Sequence, residues 1–138
     1  MKVKNIRKYL TEEQITERVK AMGEQISKDY GGETVYLICI LKGSIFFTCE
    51  LAKRITSPVE IDFMSVSSYG AGTSYSGVVK IGKDLDTTIE GKNVLVVEDI
   101  IDSGRTLSYL LQNLKTRNPK SLKLCTLLDK PDRRVCDV

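Results

Sequence analysis

Two neighbouring carboxylates and a turn of small residues follow an apolar run in the middle of the chain. Glu98 and Asp99 come directly after the run 93–97, whose β-branched residues are typical of a strand buried on both faces. The turn 102–106 then leads into leucines at helical spacing, from Leu107 to Leu114. A helix N-terminus offers unpaired backbone N–H groups and the positive end of the helix dipole. The stretch therefore predicts a phosphate site beside two carboxylates that could hold a diol or hydrated Mg²⁺.

The residues of this turn also have simpler uses. Asp102 or Ser103 could merely cap the helix, and the acidic pair could belong to a solvated loop. Gly104, however, lets the backbone turn and approach an anion closely, and Arg105 and Thr106 add a charge and a hydroxyl. Because two carboxylates, a cap and a glycine are more than a helix start requires, the stretch favours a ligand site.

A second strand, glycine turn and helix occur earlier in the chain. The buried-strand pattern 34–41 is followed by Lys42, Gly43 and Ser44, and then by a helix through Phe46 and Ile55. A second anion could bind here, with Lys42 supplying charge. A plain strand-to-helix turn with an exposed lysine explains the residues equally well.

The remaining segments complete an alternating pattern of helices and strands. A capping box at 11–14 opens a helix that ends at 31–32, and further strands are expected at 59–66 and 121–128. A mobile loop is expected at 67–76, and a small hairpin of 78–81 with 87–89. This predicts one α/β domain, 1–138, with a Rossmann-like, mostly parallel sheet flanked by helices. The site should lie at the carboxyl ends of 34–41, 93–98 and 121–128.

Composition excludes several other classes of protein. Of the 138 residues 41% are hydrophobic and 28% charged, as in a soluble globular domain, and no apolar run approaches the length of a membrane span. The chain has no histidine, and its four cysteines lack C-x-x-C spacing, so a zinc site is not expected. Reduced thiols in a cytoplasmic protein are the simplest interpretation. The net charge of +3 is too small and too dispersed to indicate nucleic-acid binding.

The string 96–106, Val-Val-Glu-Asp-Ile-Ile-Asp-Ser-Gly-Arg-Thr, resembles the phosphoribosyl-diphosphate motif of the type I phosphoribosyltransferases. Its Glu-Asp pair followed by Ile-Ile-Asp resembles the 6-oxopurine branch, the hypoxanthine(-guanine) phosphoribosyltransferases. The segment 41–44, Leu-Lys-Gly-Ser, is similar to the diphosphate loop of the same family, in which the Leu–Lys peptide is cis.

The resemblance implies a purine-salvage enzyme. Such an enzyme transfers the 5-phosphoribosyl group of phosphoribosyl diphosphate to N9 of hypoxanthine or guanine, giving IMP or GMP and diphosphate. Mg²⁺ as cofactor, a cytoplasmic location and a homo-oligomer, dimer or tetramer, are part of the same implication. Base preference and oligomeric state are not fixed by the sequence.

The resemblance also assigns residues. Asp102 would be the catalytic general base or acid toward purine N7, and Glu98 with Asp99 would hold the metal. Lys42 and Gly43 would bind diphosphate, Lys130 the purine, and Ser68 with Tyr69 would belong to a flexible lid. The phosphate and ribose would be bound by Glu98, Asp99, Ile100, Ile101, Asp102, Ser103, Gly104, Arg105 and Thr106.

Some alternatives stay open at this level. The family's C-terminal elements that cover the purine have no counterpart in 1–138, so the chain is either a truncated product or holds the base differently. A phosphoribosyltransferase-fold regulator that binds RNA would need a denser basic face. An enzyme for another base is disfavoured by Ile-Ile-Asp, and a P-loop kinase by the lack of a G-x-x-x-x-G-K-[ST] string.

Overall fold

Helices and strands alternate along the residues described by the structure, a computed structural model, which are 11–69, 78–101, 103–130 and 132. The helices within these ranges are α1 (Glu12–Tyr30), α2 (Ile45–Ala52) and α3 (Arg105–Lys115). The strands are β1 (Val35–Ile40), β2 (Val59–Tyr69), β3 (Val78–Lys83), β4 (Asn93–Ile101) and β5 (Ser121–Asp129). The predicted α/β class is confirmed. Among these helices, none has both the length and the apolar character needed to cross a membrane.

The strands form a single five-stranded sheet in the order β3-β2-β1-β4-β5. β1 pairs in parallel with β2 and with β4, and β4 pairs in parallel with β5. β3 alone is antiparallel, against the outer edge of β2. Because the parallel strands share one direction, the carboxyl ends of β1, β4 and β5 lie at the same edge of the sheet, as predicted.

The apolar run of β1 is explained by cover on both faces of the sheet. Tyr36, Ile38 and Ile40 belong to the cluster that contains the α3 leucines. Val35 and Leu37 belong to a second cluster, with the apolar faces of α1 and α2. Successive side chains of a strand point to opposite faces, so a strand at the centre of two clusters is apolar throughout.

Helix α1 begins and ends where the sequence indicates. The Thr11 hydroxyl accepts the N–H of Gln14 at 3.1 Å, and the Gln14 side chain accepts the N–H of Thr11 at 2.8 Å. Gly31 ends the helix with φ of 53°, in the left-handed region that favours glycine. The predicted capping box and glycine stop are both confirmed.

The predicted hairpin of 78–81 with 87–89 is wrong. β3 pairs instead with β2, whose outer edge is open to it, and 87–89 is not a strand. Ile89 is only 1% exposed and belongs to the α3 cluster, while the Thr87 hydroxyl lies 3.0 Å from that of Tyr36. Burial of Ile89 and this polar contact fix the segment against the core rather than against β3.

Two strands are longer than predicted. β2 continues to Tyr69, beyond the expected end at 66, because β3 pairs with it as far as Val78. The first residues of the expected loop 67–76 are therefore strand. β4 continues to Ile101, beyond 98, because Ile100 and Ile101 still pair with β5. Glu98 and Asp99 therefore lie within β4, near its carboxyl end, and not in a loop.

Candidate active site

The carboxyl ends of β1 and β4 meet where the strand order reverses. From β1 the sheet continues to β2 on one side, and on the other side lie β4 and β5. Loops leaving two such strands diverge to opposite faces and leave a crevice, the usual ligand position in an open α/β sheet. The turn 41–44 after β1 and the segment 98–106 bound this crevice.

The acidic pair is held by its own backbone near the end of β4. Glu98 Oε1 accepts the N–H of Asp99 at 3.0 Å, and Asp99 Oδ1 accepts the N–H of Ile100 at 2.8 Å. Burial, and then hydrogen bonding with the Asp99 side chain, raises the pKa of Glu98 to about 8. This raised pKa favours the protonated form of Glu98 at neutral pH in the free protein, and a nearby cation would favour its ionised form.

The start of α3 forms one wall of a small cavity beside this pair. Gly104 precedes the helix with φ of 84°, where a side chain would be strained, and the Ser103 hydroxyl accepts the Arg105 N–H at 3.3 Å. Ser103 thus bonds the first helical amide but is not the N-cap. The cavity has a volume of about 170 Å³, and its lining includes Glu98, Ile100, Ile101, Ser103, Gly104 and Thr106.

The turn after β1 reaches the acidic pair directly. The Leu41–Lys42 peptide bond is cis, as the resemblance implies, and Lys42 and Gly43 are exposed. A Cβ placed on Gly43 would lie 2.9 Å from Asp99 Oδ2, closer than real Cβ atoms approach another atom. The two motifs, more than fifty residues apart in sequence, are therefore in contact, and a side chain at 43 would have to displace the Asp99 carboxylate or the turn.

The end of β5 adds a third strand to the same edge. The Lys130 N–H donates to the Ile101 carbonyl at 2.9 Å, which places this exposed lysine beside the end of β4. The Thr126 hydroxyl lies 3.2 Å from the Asp99 carbonyl and 2.9 Å from that of Leu128. Sequence reasoning missed both Thr126 and the Gly43–Asp99 contact, because neither leaves a signal in local spacing.

Some predicted site residues lie outside the described residues or are described only by their backbone. Asp102 lies outside the described residues, so its catalytic role stays a prediction. The backbones of Ser68 and Tyr69 end β2, paired with Val79 and Val78, while nothing is described of their side chains or of 70–77. The lid also stays a prediction. Arg105 is the first residue of α3 and is half-buried.

The acidic pair fits a magnesium ion that has few protein ligands and keeps several of its waters. Among the described residues no group of three or more His, Cys, Asp and Glu side chains is placed to hold a metal. Mg²⁺ commonly retains several waters and binds one or two carboxylates together with substrate phosphates. Glu98 and Asp99, beside a helix N-terminus that could bind a phosphate, match that requirement, whereas a cage made only of protein ligands does not fit.

Comparison with known proteins agrees with this geometry. The model of the phosphoribosyl transferase domain matches residues 6–137. A hypoxanthine-guanine phosphoribosyltransferase of Streptococcus thermophilus is 52% identical over 136 residues, which cover 98% of this chain and 76% of that protein. One from Mycobacterium tuberculosis is 54% identical over 129 residues, 89% of this chain and 64% of the relative.

Solved structures give the same result. A hypoxanthine-guanine phosphoribosyltransferase from Bacillus anthracis superposes with a TM-score of 0.90 at 47% identity, over 99% of this chain and 79% of its own. A hypoxanthine phosphoribosyltransferase from Staphylococcus aureus gives 0.91 at 47% identity, over 96% of this chain and 72% of its own. By sequence and by fold, the chain belongs to the phosphoribosyl transferase domain family and, within it, to the hypoxanthine-guanine phosphoribosyltransferases, the transferases of purine salvage.

Proposed function

We propose that the crevice between the turn 41–44 and the segment 98–106 is where this chain transfers the 5-phosphoribosyl group from phosphoribosyl diphosphate to hypoxanthine or guanine. The bond from ribose C1 to diphosphate breaks, a bond from C1 to purine N9 forms, and the purine loses a proton. The observation that carries the proposal is the contact of Gly43 with Asp99, since it joins the two predicted anion-binding motifs into one site.

The start of α3 would bind the 5′-phosphate. The first amides of a helix have no acceptor within it and favour an anion, and the Ser103 and Thr106 hydroxyls line the cavity beside them. Gly104 lets the phosphate approach the backbone. Ile100 and Ile101 would form the apolar side of the same cavity, against the sugar.

The acidic pair would bind the ribose. Glu98 and Asp99 can accept hydrogen bonds from ribose hydroxyls. The negative charge of Asp99, and that of Glu98 once a bound cation favours its ionised form, would stabilise the positive charge that develops on the ribose as its bond to diphosphate breaks. They are also the residues that would hold Mg²⁺. A bound magnesium ion would neutralise charge on the leaving diphosphate.

The turn after β1 would receive the diphosphate. Lys42 supplies a positive charge in an exposed position, and Gly43 leaves its backbone open to an anion next to Asp99. Lys130, beside the end of β4, would donate to the exocyclic oxygen of a 6-oxopurine. Ser68 and Tyr69, at the end of β2, would belong to a lid that excludes water from the reacting ribose.

Asp102 would exchange a proton with N7 of the purine. The described residues on either side of it in the sequence, Ile101 and Ser103, both line the cavity, which supports this role. General acid–base assistance is typically worth about 10²–10⁴-fold, so Asp102→Asn should lower turnover without abolishing phosphoribosyl binding. Unchanged turnover in that variant would remove Asp102 from the mechanism.

We also propose that the chain works in the cytoplasm as a homo-oligomer. Cys39, Cys49 and Cys125 are free thiols in the described ranges, in keeping with a reducing compartment. Phe46 on α2 is 82% exposed, so it is available for contact with a second copy. A structure of the Trypanosoma cruzi hypoxanthine phosphoribosyltransferase concerns the part its C-terminal region plays in its oligomeric state. Light scattering after gel filtration tests the oligomer.

The proposed reaction is tested by incubating the chain with phosphoribosyl diphosphate, Mg²⁺ and one base, and measuring nucleotide and diphosphate by chromatography. We expect IMP from hypoxanthine and GMP from guanine, and no product from adenine or uracil. Chelation of Mg²⁺ by EDTA should stop transfer, and added Mg²⁺ should restore it. Transfer at the same rate in EDTA would contradict the role of the metal, and product only from another base would contradict the substrate assignment.

A further inference from the structure

The hydroxyl of Ser44 is buried in the turn after β1 and is not used to cap the helix that it precedes. Ser44 is 0% exposed and is the N-cap residue of α2, yet its side chain makes no capping hydrogen bond. A serine at this position usually accepts an N–H of the first helical turn. Here the hydroxyl donates backwards, to the carbonyl of Ile40, the last residue of β1.

This hydrogen bond closes the turn on itself. Ile40 and Ser44 stand immediately before and after Leu41, Lys42 and Gly43, so one contact joins the two ends of the segment that would receive diphosphate. A buried hydroxyl that lost its acceptor would carry the full cost of desolvation, which makes the contact a strong constraint. The Cys39 thiol also lies beside the hydroxyl, at 3.7 Å.

The carbonyl of Ser44 is anchored as well. Both the N–H and the hydroxyl of Thr48 donate to it, at 2.8 and 2.7 Å, and Thr48 is 1% exposed. Ser44 is therefore fixed to β1 through its side chain and to α2 through its backbone. Gly43 therefore lies between the Ile40–Ser44 contact and the Asp99 carboxylate.

We propose that Ser44 is a positioning residue, which sets the orientation of the Lys42–Gly43 backbone and its distance from Asp99 before substrate arrives. The inference rests on the proposed function, in which this turn receives diphosphate. It assigns Ser44 no contact with substrate. Its side chain acts through the turn, by holding the turn in the conformation that binds.

The test compares Ser44→Ala with Ser57→Ala as a matched control. Ser57 is also buried, 6% exposed, and its hydroxyl accepts the Gly32 N–H at 3.3 Å, at the opposite edge of the sheet. Loss of one net hydrogen bond should raise the KM for phosphoribosyl diphosphate roughly fivefold in Ser44→Ala. The KM for hypoxanthine should stay within about twofold, and Ser57→Ala should leave both constants at that level, because its hydroxyl is remote from the turn.

A measurement without substrate separates this inference from the proposed function. In ¹H–¹⁵N spectra of the free protein, Ser44→Ala should shift the amide signals of Lys42, Gly43 and Asp99, and Ser57→Ala should not. Thr48→Val, which removes the second donor to the Ser44 carbonyl, should shift the same signals and decides the matter if Ser44→Ala does not fold.

The outcomes are distinct. Shifted signals in a chain that transfers no phosphoribosyl group would retain the positioning role and refute the proposed function. Unshifted signals, or a KM for phosphoribosyl diphosphate equal to that of the unmodified chain, would refute the positioning role. Equal changes in both KM values would show that Ser44 only stabilises the fold in general, and would also refute the positioning role.

Discussion

Gly43 lies where the turn after β1 meets the acidic pair near the end of β4. It follows Lys42 in the turn after β1, and the Asp99 carboxylate occupies the space that its Cβ would need. Neither position predicts the other from the sequence, because the contact depends on the pairing of β1 with β4. The sequence could indicate that both motifs bind anions, but the distance between them required the structure.

Gly43→Ala should therefore impair the site more than the fold. The added methyl group, 2.9 Å from Asp99 Oδ2, must displace either that carboxylate or the turn. We expect kcat/KM for phosphoribosyl diphosphate to fall at least about tenfold, since small misplacements of reacting groups are costly. Steady-state kinetics measure the fall.

The matched control for this variant is Gly82→Ala on β3. There the added methyl would meet the Ser65 hydroxyl at 3.3 Å, a side-chain atom that can move. Its kinetic constants should stay close to those of the unmodified chain. Equal losses in both variants would show that the close approach of Gly43 to Asp99 is not what matters.

At the scale of elements, a polar network joins β1, β2 and the segment after β3. Asp62 is 5% exposed, and its carboxylate accepts from the Tyr36 hydroxyl at 2.5 Å and from the N–H groups of Phe63 and Asp86 at 2.8 and 3.0 Å. Burial alone would raise the pKa of Asp62, but these hydrogen bonds outweigh it and the pKa is lowered. The ionised form therefore stabilises the fold.

Asp62→Asn should lower the free energy of unfolding at pH 7 by about 1.5–3 kcal/mol, the usual contribution of hydrogen bonds to a charged group. A lowered pKa stabilises the fold above the pKa of the unfolded chain, near 4, and this contribution is lost as the pH falls through the lower folded value. The difference in free energy of unfolding between the unmodified chain and the variant should thus become smaller below about pH 4. Urea unfolding at several pH values measures it.

Asp86→Asn is the control for Asp62→Asn. The Asp86 side chain is 78% exposed and its ion pair with Lys83 spans 3.4 Å, so its loss should cost little at any pH. If the loss of unfolding free energy in Asp62→Asn stays constant from pH 7 to pH 3, ionised Asp62 is not the stabilising form.

The cap of α1 gives a second prediction at this scale. Thr11→Ala removes the hydroxyl that accepts the Gln14 N–H and should lower the free energy of unfolding by about 1 kcal/mol. Thr16→Ala, on the exposed side of the same helix, should cost nothing, because alanine is the better helix former. Equal losses would contradict the capping role of Thr11.

The sequence predicts which segments are helices or strands more accurately than it predicts where they end and which strands pair. Helical spacing, the capping box and the apolar runs identify the helices and the parallel strands, because each depends on neighbouring residues. The pairing partner of β3 cannot be identified from neighbouring residues. The residues Val78–Lys83 alternate in a way that suits either a hairpin with 87–89 or the edge of β2. Burial of Ile89 decided between them, and that is a property of the assembled core.

At the scale of the whole molecule, the strand order brings the functional segments together. The carboxyl ends of β1, β4 and β5 share one edge of the sheet, and the order reverses between β1 and β4. The sequence predicted this edge from the parallel pattern. Contacts such as that of the Lys130 N–H with the Ile101 carbonyl could not be predicted, because they depend on how far the β4–β5 ladder extends.

The most direct test of the central claim is a crystal structure of the chain with IMP bound. We predict the 5′-phosphate within hydrogen-bond distance of the amides of 104–106 and the Ser103 hydroxyl, with the ribose hydroxyls against Glu98 and Asp99. A nucleotide bound elsewhere, with the turn before α3 empty, would contradict the account.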